Sequence, residues 1–262
     1  MDDNDTAARP LSEQAPFDTV PEQTPFDTVP EQTPFDTVPV PPDLPPGWRV
    51  VGAGDSHVDD AERLEYEVFL AAAFCEASAE SRVAEFEPWR EASAFEVVLS
   101  ETGEVRGAVR IIVGPYDLLP VGKFGRDRPW PDDPVLEYAS LAVSTRERGA
   151  GVAEALYRAV WQQSLRLGVE GIVAIGESWL LDILNGVYDF GFQQLGPSHW
   201  YMGGDCFPMG TSIRDLIARL RNQPSFFRWV SAEIDLRDLP TPLVRDAVRD
   251  LRAGTLAPPA SG

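Results

Sequence analysis

The chain has 262 residues, 44% of them apolar, which is enough to bury one large core or two small ones. Its 42 acidic side chains outnumber the 22 basic ones, and this balance argues against nucleic acid as a partner. Cys75 and Cys206 lie far apart in the sequence and near no other ligand cluster, so we expect no disulfide framework and no metal. The acidic N-terminus is unlike a secretory signal, and no apolar run is long enough for a membrane span, which predicts a cytoplasmic protein.

A nonapeptide repeat dominates the N-terminal part of the sequence. Glu-Gln-Ala-Pro-Phe-Asp-Thr-Val-Pro stands at 13–21, and the same peptide with Thr in place of Ala recurs at 22–30 and 31–39. Each copy has two prolines and only Phe and Val as bulky apolar residues, so it cannot build a core. We therefore predict a disordered, acidic, Pro-rich tail over residues 1–47. It either only solubilises the domain or displays a docking motif three times.

Alternating strand and helix patterns begin at Trp48. Residues 50–54 look like the start of a dinucleotide-binding turn, but His57 stands at the third glycine position, so we do not interpret them as a nucleotide site. Ser56 and Asp59 predict a capping box for a first helix. The apolar residues that then recur at helical spacing are Val58, Ala61, Leu64, Val68, Ala72 and Cys75.

Two β-rich runs, 95–99 and 105–113, are joined by a Gly-containing turn and predict a hairpin. The apolar run 135–143 predicts a third strand. After Gly151 the apolar spacing predicts a helix that Gly168 ends. The remaining predictions are a strand at 171–175, a helix at 179–188, a last strand reaching about Met202, and helices at 212–222 and 241–253.

The segment Arg-Glu-Arg-Gly-Ala-Gly at 146–151 follows a strand and opens a helix. Its backbone N–H groups are free of bulky side chains, and the helix dipole favours an anion there. Arg146 and Arg148 add positive charge, partly offset by Glu147. Since no Lys-Ser/Thr pair follows, this is not a P-loop. The segment predicts a phosphate site, and an ordinary helix N-terminus with small residues is the alternative.

With the strands and helices around it, this segment resembles the GNAT superfamily of acyl-CoA N-acyltransferases over about residues 60–210. The resemblance implies an α/β (α+β) fold with a central mixed, mostly antiparallel sheet flanked by helices. It implies a domain at 48–210 and a C-terminal helical extension at 211–262. In the family, the glycine segment holds the pyrophosphate of coenzyme A and the preceding strand pairs with the pantetheine arm. The cofactor-binding residues so implied are Leu141, Ala142, Val143, Arg146, Arg148, Gly149, Ala150, Gly151, Val152 and Ala153.

The N-terminal half of the domain is similar to the autoinducer-synthase and N-acyl amino acid synthase branch. The similar runs are 66–69, 94–99, 103–112 and 136–143. Members of this branch take fatty acyl groups from acyl carrier protein or coenzyme A and place them on an amino group. Arg110 and Glu137 match the residue types of the branch. Glu65 stands where autoinducer synthases have an arginine, and Ala139-Ser140 replaces their Ser-Arg, so the resemblance implies an acceptor other than theirs.

Attack of an amine on a thioester needs a base because amines are largely protonated at neutral pH. Glu137, on a predicted central strand, is the candidate base, and an ion pair with Arg110 is its structural alternative. By position, the Ala142 N–H is the nearest donor for the thioester oxyanion. Tyr188 lies one position after the slot of the usual general acid, so we expect it to pack in the core.

The resulting prediction is an N-acyltransferase that moves an acyl group, fatty by resemblance, from acyl-CoA or acyl carrier protein to a small amine such as an amino acid. The alternative is a degenerate GNAT domain that binds an acyl thioester or a protein partner without turnover. Leu180 and Leu181, which stand where relatives have an asparagine, favour the alternative. The retained Glu137 and glycine segment favour the enzyme.

Overall fold

The computed structural model describes residues 37–130 and 134–253. The first two nonapeptide copies and most of the third lie outside the described residues. Within residues 37–130 and 134–253, eight strands form a sheet: β1 (Arg49–Gly52), β2 (Ser93–Leu99), β3 (Val105–Gly114), β4 (Val135–Val143), β5 (Gly171–Gly176), β6 (Gln193–Gln194), β7 (His199–Tyr201) and β8 (Gly204–Ser212).

The sheet has the order β1-β2-β3-β4-β5-β8-β6, with β7 paired to β8 beside this path. Neighbouring strands run antiparallel except for β4 and β5, which are parallel. The helix between β4 and β5 supplies the long crossover that a parallel pair requires. This architecture confirms the predicted fold class.

In the part of the chain that the structure describes, six α-helices flank the sheet: α1 (Gly54–Ala71), α2 (Val152–Leu167), α3 (Ser178–Gly186), α4 (Ile213–Leu220), α5 (Pro224–Val230) and α6 (Pro242–Ala253). Sequence patterns predicted most of these strands and helices, but β1, β8 and α5 were missed. Gly and Pro interrupt the apolar pattern of β8, and α5 is only seven residues long. Among the described residues, no helix is long and apolar enough to cross a membrane.

Helix α1 departs from its prediction at both its start and its buried face. It begins at Gly54 without a side-chain cap, so the capping box predicted at Ser56 does not form. Its buried residues are Ala61, Glu62, Glu65, Tyr66 and Phe69. Two glutamates take positions that the apolar periodicity could not assign to the interior.

The C-terminal helices share the core of the sheet domain. Leu216, Phe227 and Val248 belong to the same buried cluster as Leu156 of α2 and Leu136 of β4. Residues of the predicted tail also join it: Val38 is 5% exposed, and Leu44 packs against the cluster. One core therefore continues across residues 47 and 210, the predicted limits of the domain.

Candidate active site

Strands β4 and β5 diverge halfway along their length. They pair only from Val135 to Glu137, opposite Gly171 to Val173. Beyond Glu137, β4 continues beside β3 and β5 continues beside β8. A bulge at Ala139, where β4 gains one residue relative to β3, increases the local bend. The divergence opens a cleft in the sheet.

Two backbone amides of β4 face this cleft. Ser144 donates its N–H to β3 at 3.0 Å, and Ala142 lies opposite Ala108 in the same register. Hydrogen-bonded and non-hydrogen-bonded pairs alternate in an antiparallel ladder, so the Ala142 N–H bonds to β3. This corrects the prediction that Ala142 donates to the oxyanion. The N–H groups of Leu141 and Val143 point away from β3, toward the cleft.

Two glycines shape the loop between β4 and α2. Gly149 and Gly151 have φ values of +82° and +74°, the left-handed region that glycine adopts without strain. Gly151 caps α2, and the bond from the Ala155 N–H to its carbonyl oxygen, at 3.0 Å, is the first of the helix. The N–H groups of Val152 and Ala153 therefore have no partner within the helix. Such a concave row of N–H groups suits a phosphate.

The charges at this loop favour an anion. Arg146 and Arg148 are both exposed. Glu147, which was expected to offset them, lies 3.8 Å from the guanidinium of Arg106 on β3, so its charge is partly neutralised there. Ala150 is half-buried and packs against the core. The predicted cofactor-binding residues thus occupy the end of β4, the loop that follows it and the start of α2.

Glu137 is fully buried at the point where the two strands separate. Its Oε2 accepts a hydrogen bond from the Val121 N–H at 3.0 Å. Its Oε1 is buried and has no hydrogen-bond partner among the described residues. Burial raises the pKa of Glu137 to about 8, against the opposing effects of the Val121 N–H and Lys123. A carboxyl with such a pKa exchanges protons near neutral pH, as a general base must.

A segment between β3 and β4 covers Glu137. It contains two 3₁₀ turns, Tyr116–Leu118 and Pro120–Phe124, and both Tyr116 and Val121 are fully buried. Residues 131–133, near the end of this segment, lie outside the described residues. The described part packs tightly against Glu137 rather than over an open cavity. Burial of Glu137 under this cover is the cause of its raised pKa.

Tyr201 lines the cleft and lies close enough to Glu137 for the charge of that carboxyl to act on its hydroxyl. Residues that line the cleft include Tyr138, Ala139 and Tyr201, but Glu137 itself lies behind them. Burial raises the pKa of Tyr201, and the negative charges of Glu85 and Glu137 raise it further. No sequence pattern singled out Tyr201, because β7 is only three residues long.

Arg110 does not pair with Glu137, contrary to the structural alternative. Its Nη2 lies 2.6 Å from Glu65, and both residues are buried. Ser140 of β4 also donates a hydrogen bond to Glu65. The bulge places Arg110 opposite Ser140, whereas Glu137 lies opposite Ile112. Glu65 and Ser140, two departures from the autoinducer synthases, are therefore partners in one buried network.

The cleft is mostly apolar. Phe69 and Phe74 line it, whereas Trp89, Phe95, Trp130 and Trp200 do not. Tyr138 and Tyr157 lie between the cleft and a second apolar cavity that α2, α3, α4 and α5 enclose, and they line both. Their rings meet edge to face with centroids 5.9 Å apart.

Tyr188 packs in the core, as predicted. Its ring stacks on Phe190 at 5.3 Å, and its hydroxyl lies 3.4 Å from Glu154. Asn185, which the sequence analysis missed, holds the turn after α3. Its side chain exchanges two hydrogen bonds of 2.8 Å with the backbone of Phe192.

Comparisons with known proteins agree with this geometry. A model described as the acetyltransferase (GNAT) family matches residues 60–192. A structure of a CoA-dependent acyl-homoserine lactone synthase, BjaI, with SAM and isopentyl-CoA superposes with a TM-score of 0.55 at 19% identity, covering 78% of this chain and 97% of that one. The AHL synthase LasI superposes with a TM-score of 0.51 at 14% identity, covering 63% of this chain and 88% of that one. TofI, in a ternary complex with an inhibitor and MTA, superposes with a TM-score of 0.50 at 14% identity, covering 68% of this chain and 98% of that one. At these sequence identities, the structural similarity is evidence for a shared fold alone. No curated protein sequence matches the chain.

Proposed function

Because the chain belongs to the acetyltransferase (GNAT) family and is an acyltransferase, we propose that it transfers a fatty acyl group from an acyl-CoA thioester to the amino group of a small molecule. The observation that carries this proposal is the cleft opened where β4 and β5 separate after Glu137. One end of the cleft holds the free amides of β4, and the loop with Gly149 and Gly151 follows directly in the chain. The β4 amides suit the pantetheine arm of the donor, and the glycine loop that follows them suits its pyrophosphate.

The donor thioester lies along β4 in this proposal. The Leu141 and Val143 amides pair with the pantetheine arm, and the Val152 and Ala153 amides with Arg146 hold the pyrophosphate. Helix dipole and arginine charge act together on the same anion. Acyl carrier protein is the other carrier that the resemblance implies. Its phosphopantetheine arm would use the same strand, so the two carriers differ at the pyrophosphate loop.

The acyl chain occupies the apolar cleft beside Phe69 and Phe74, and the Tyr138–Tyr157 pair limits its length. Beyond that pair lies the second cavity, whose walls are almost entirely apolar. An apolar chain gains about 0.8 kcal/mol for each methylene that it buries. Chain-length preference then depends on whether the acyl group passes the two tyrosines.

The acceptor is a small amine, such as that of an amino acid, that enters near Glu177. Among the described residues lining the cleft, Glu177 is the only charged one. A carboxylate attracts an ammonium group and holds it until its proton is removed. The apolar walls disfavour an acceptor of high charge.

The reaction in this proposal is direct transfer. The amine loses a proton toward Glu137, either by way of the Tyr201 hydroxyl or through water, and its nitrogen attacks the thioester carbon. A β4 amide stabilises the oxyanion. The C–S bond then breaks, the attacking nitrogen gives up its remaining extra proton, and the leaving thiolate takes up that proton, so that an amide and a thiol remain. A free thiol has a pKa near 8.5, so its departure needs less assistance than that of an amine.

A second candidate function is binding of an acyl thioester without turnover. The position of Tyr188 favours it, because its hydroxyl lies beside Glu154 in an aromatic cluster and not in the cleft. Glu137 also lies behind the cleft wall. In this case the domain holds an acyl thioester, or a protein partner, and Glu137 has only a structural effect.

Mass spectrometry of lipid extracts distinguishes the two functions. Cells expressing the wild type are compared with cells expressing Glu137→Gln, and Glu91→Gln, an exposed glutamate, is the matched control. We expect N-acyl species with the wild type and the control but not with Glu137→Gln. If the purified wild type binds coenzyme A and forms no such product, the binding function is favoured instead.

The pyrophosphate site needs a separate test. Gly151 is a poor position for it, because a Cβ there would lie 2.9 Å from the carbonyl oxygen of Pro42. We instead reverse the two exposed charges with Arg146→Glu and Arg148→Glu, and use the exposed Arg221→Glu as control. Bonds to a charged group contribute about 1.5–3 kcal/mol each, so we expect at least about tenfold weaker coenzyme A binding by calorimetry. Unchanged affinity in the double variant contradicts the placement.

A further inference from the structure

The end of the third nonapeptide copy is docked on the domain. Gln223, between α4 and α5, is 6% exposed. Its Oε1 accepts hydrogen bonds from the N–H groups of Thr37 at 2.7 Å and Val38 at 3.0 Å. Its Nε2 lies 3.1 Å from the Thr37 hydroxyl and donates to it. One buried carboxamide therefore binds two backbone groups and one side chain of the same dipeptide.

The Val38 side chain completes this contact. It is 5% exposed and belongs to the main core cluster, together with Leu220 and Phe227 on either side of Gln223 in the sequence. The residue before a proline favours an extended backbone, and Pro39 follows Val38 directly. The bound dipeptide is thus pre-set in the conformation that presents both N–H groups. We call Gln223 and the core surface that covers Val38 the arm site.

Everything that the arm site binds occurs three times in the sequence. Asp-Thr-Val-Pro stands at 18–21, 27–30 and 36–39. The contacts use two backbone N–H groups, a threonine hydroxyl and a valine side chain, and each copy supplies all of them. One chain therefore carries three equivalent ligands and a single arm site of this kind among its described residues.

We propose that the arm site recognises Asp-Thr-Val-Pro, and that copies in one chain occupy the arm site of a second chain. An exchanged copy makes the same contacts as the resident one, so exchange costs little contact energy. The third copy has an advantage within its own chain, because the five prolines between residues 39 and 46 tether it stiffly to Trp48. The spare copies at 18–21 and 27–30 are the ones available to a partner chain.

The proline-rich tether determines whether the arm site binds the third copy of its own chain or a copy from another chain. A short tether gives a local concentration in the millimolar range, so the resident copy wins in dilute solution. A vacant arm site on another chain removes this competition. Association is therefore expected whenever one chain has a free site and another has free copies, and the copies in one chain can each bind a separate partner.

Two complementary variants of the full chain test the proposal. The arm-only chain carries Gln223→Leu, which removes both hydrogen-bonding ends of the carboxamide. The site-only chain carries Val20→Asp, Val29→Asp and Val38→Asp, which disable all three copies. Gln193→Leu, on the exposed strand β6, is the matched control for the first variant. Circular dichroism establishes that each variant is folded.

Sedimentation velocity of the mixture gives the first readout. We expect complexes of one arm-only chain with up to three site-only chains, and no association of either variant alone. In the Gln193→Leu control the third copy occupies the arm site of its own chain. Its complexes with the site-only chain therefore use only the copies at 18–21 and 27–30. Absence of any complex in the mixture, at concentrations up to about 1 mM, overturns the proposal.

A peptide measurement keeps the proposal testable if Gln223→Leu does not fold. A fluorescent peptide of residues 22–30 is titrated into the site-only chain, beside the same peptide with Val29→Asp. We expect at least about tenfold weaker binding of the substituted peptide. If Val38→Asp prevents folding of the site-only chain, serine at the same three positions replaces aspartate. Equal binding of the two peptides, or no binding of either, overturns the proposal.

Discussion

Glu137→Gln is expected to change how the stability of the protein depends on pH. The pKa of Glu137 is about 8 in the folded protein, against an ordinary value of 4.5. Between these values the folded state holds one proton more than the unfolded state. The free energy of unfolding of the wild type therefore falls as the pH rises, and the contribution is fully present only below the unfolded pKa.

The size of this effect follows from the pKa. When the folded state holds one proton more than the unfolded state, the free energy of unfolding falls by about 1.4 kcal/mol for each unit of rising pH. From pH 5 to pH 8, the wild type should lose up to about 4 kcal/mol through this carboxyl, and relaxation around the charge reduces this value. Glutamine keeps the hydrogen bond from Val121 but cannot ionise. The variant should lack this part of the pH slope.

Urea unfolding at several pH values between 5 and 8 measures the two slopes. Other buried carboxyls, such as Glu96, are common to both proteins and cancel in the comparison. The exposed Glu91→Gln variant should retain the wild-type slope. The reasoning fails if wild type and Glu137→Gln lose stability equally over this interval. Such a result would mean that Glu137 titrates like an exposed carboxyl and is a poor base near neutral pH.

Three further predictions concern other parts of the site. Tyr157→Ala should join the cleft to the second cavity and shift the preference toward longer acyl chains, measured as relative rates with an acyl-CoA series. Glu65→Gln removes the nearer charge partner of the buried Arg110 and leaves only Glu62, at 3.9 Å, so it should destabilise the fold by about 3 kcal/mol in urea unfolding, whereas the exposed Glu67→Gln should change it by less than about 0.5 kcal/mol. Asn185→Ala removes both bonds to Phe192 and should cost about 1–3 kcal/mol, with a lower melting temperature; an unchanged melting temperature would contradict that structural role.

Local sequence signals were sufficient for much of the fold. The apolar run of β4, the helical spacing of α2 and its terminal Gly168 predicted elements with the bounds that the structure has. Each of these signals depends on a few neighbouring residues. The glycine loop was readable for the same reason, since Gly149 and Gly151 provide the backbone freedom that the turn requires.

Contacts between residues far apart in the sequence determined the burial and the partners of the polar side chains. The sequence identified Glu137 as a candidate base, but its free oxygen and raised pKa depend on a cover segment that packs over it. Its pairing with Arg110 was equally plausible from the sequence, until the bulge in β4 placed Arg110 against Glu65. The Thr-Val-Pro repeat was visible as a pattern, yet only the folded core supplies the buried carboxamide of Gln223 that binds it. Sequence periodicity records which residues are apolar and how they are spaced, whereas burial of a charge and the choice of its partner depend on the three-dimensional arrangement.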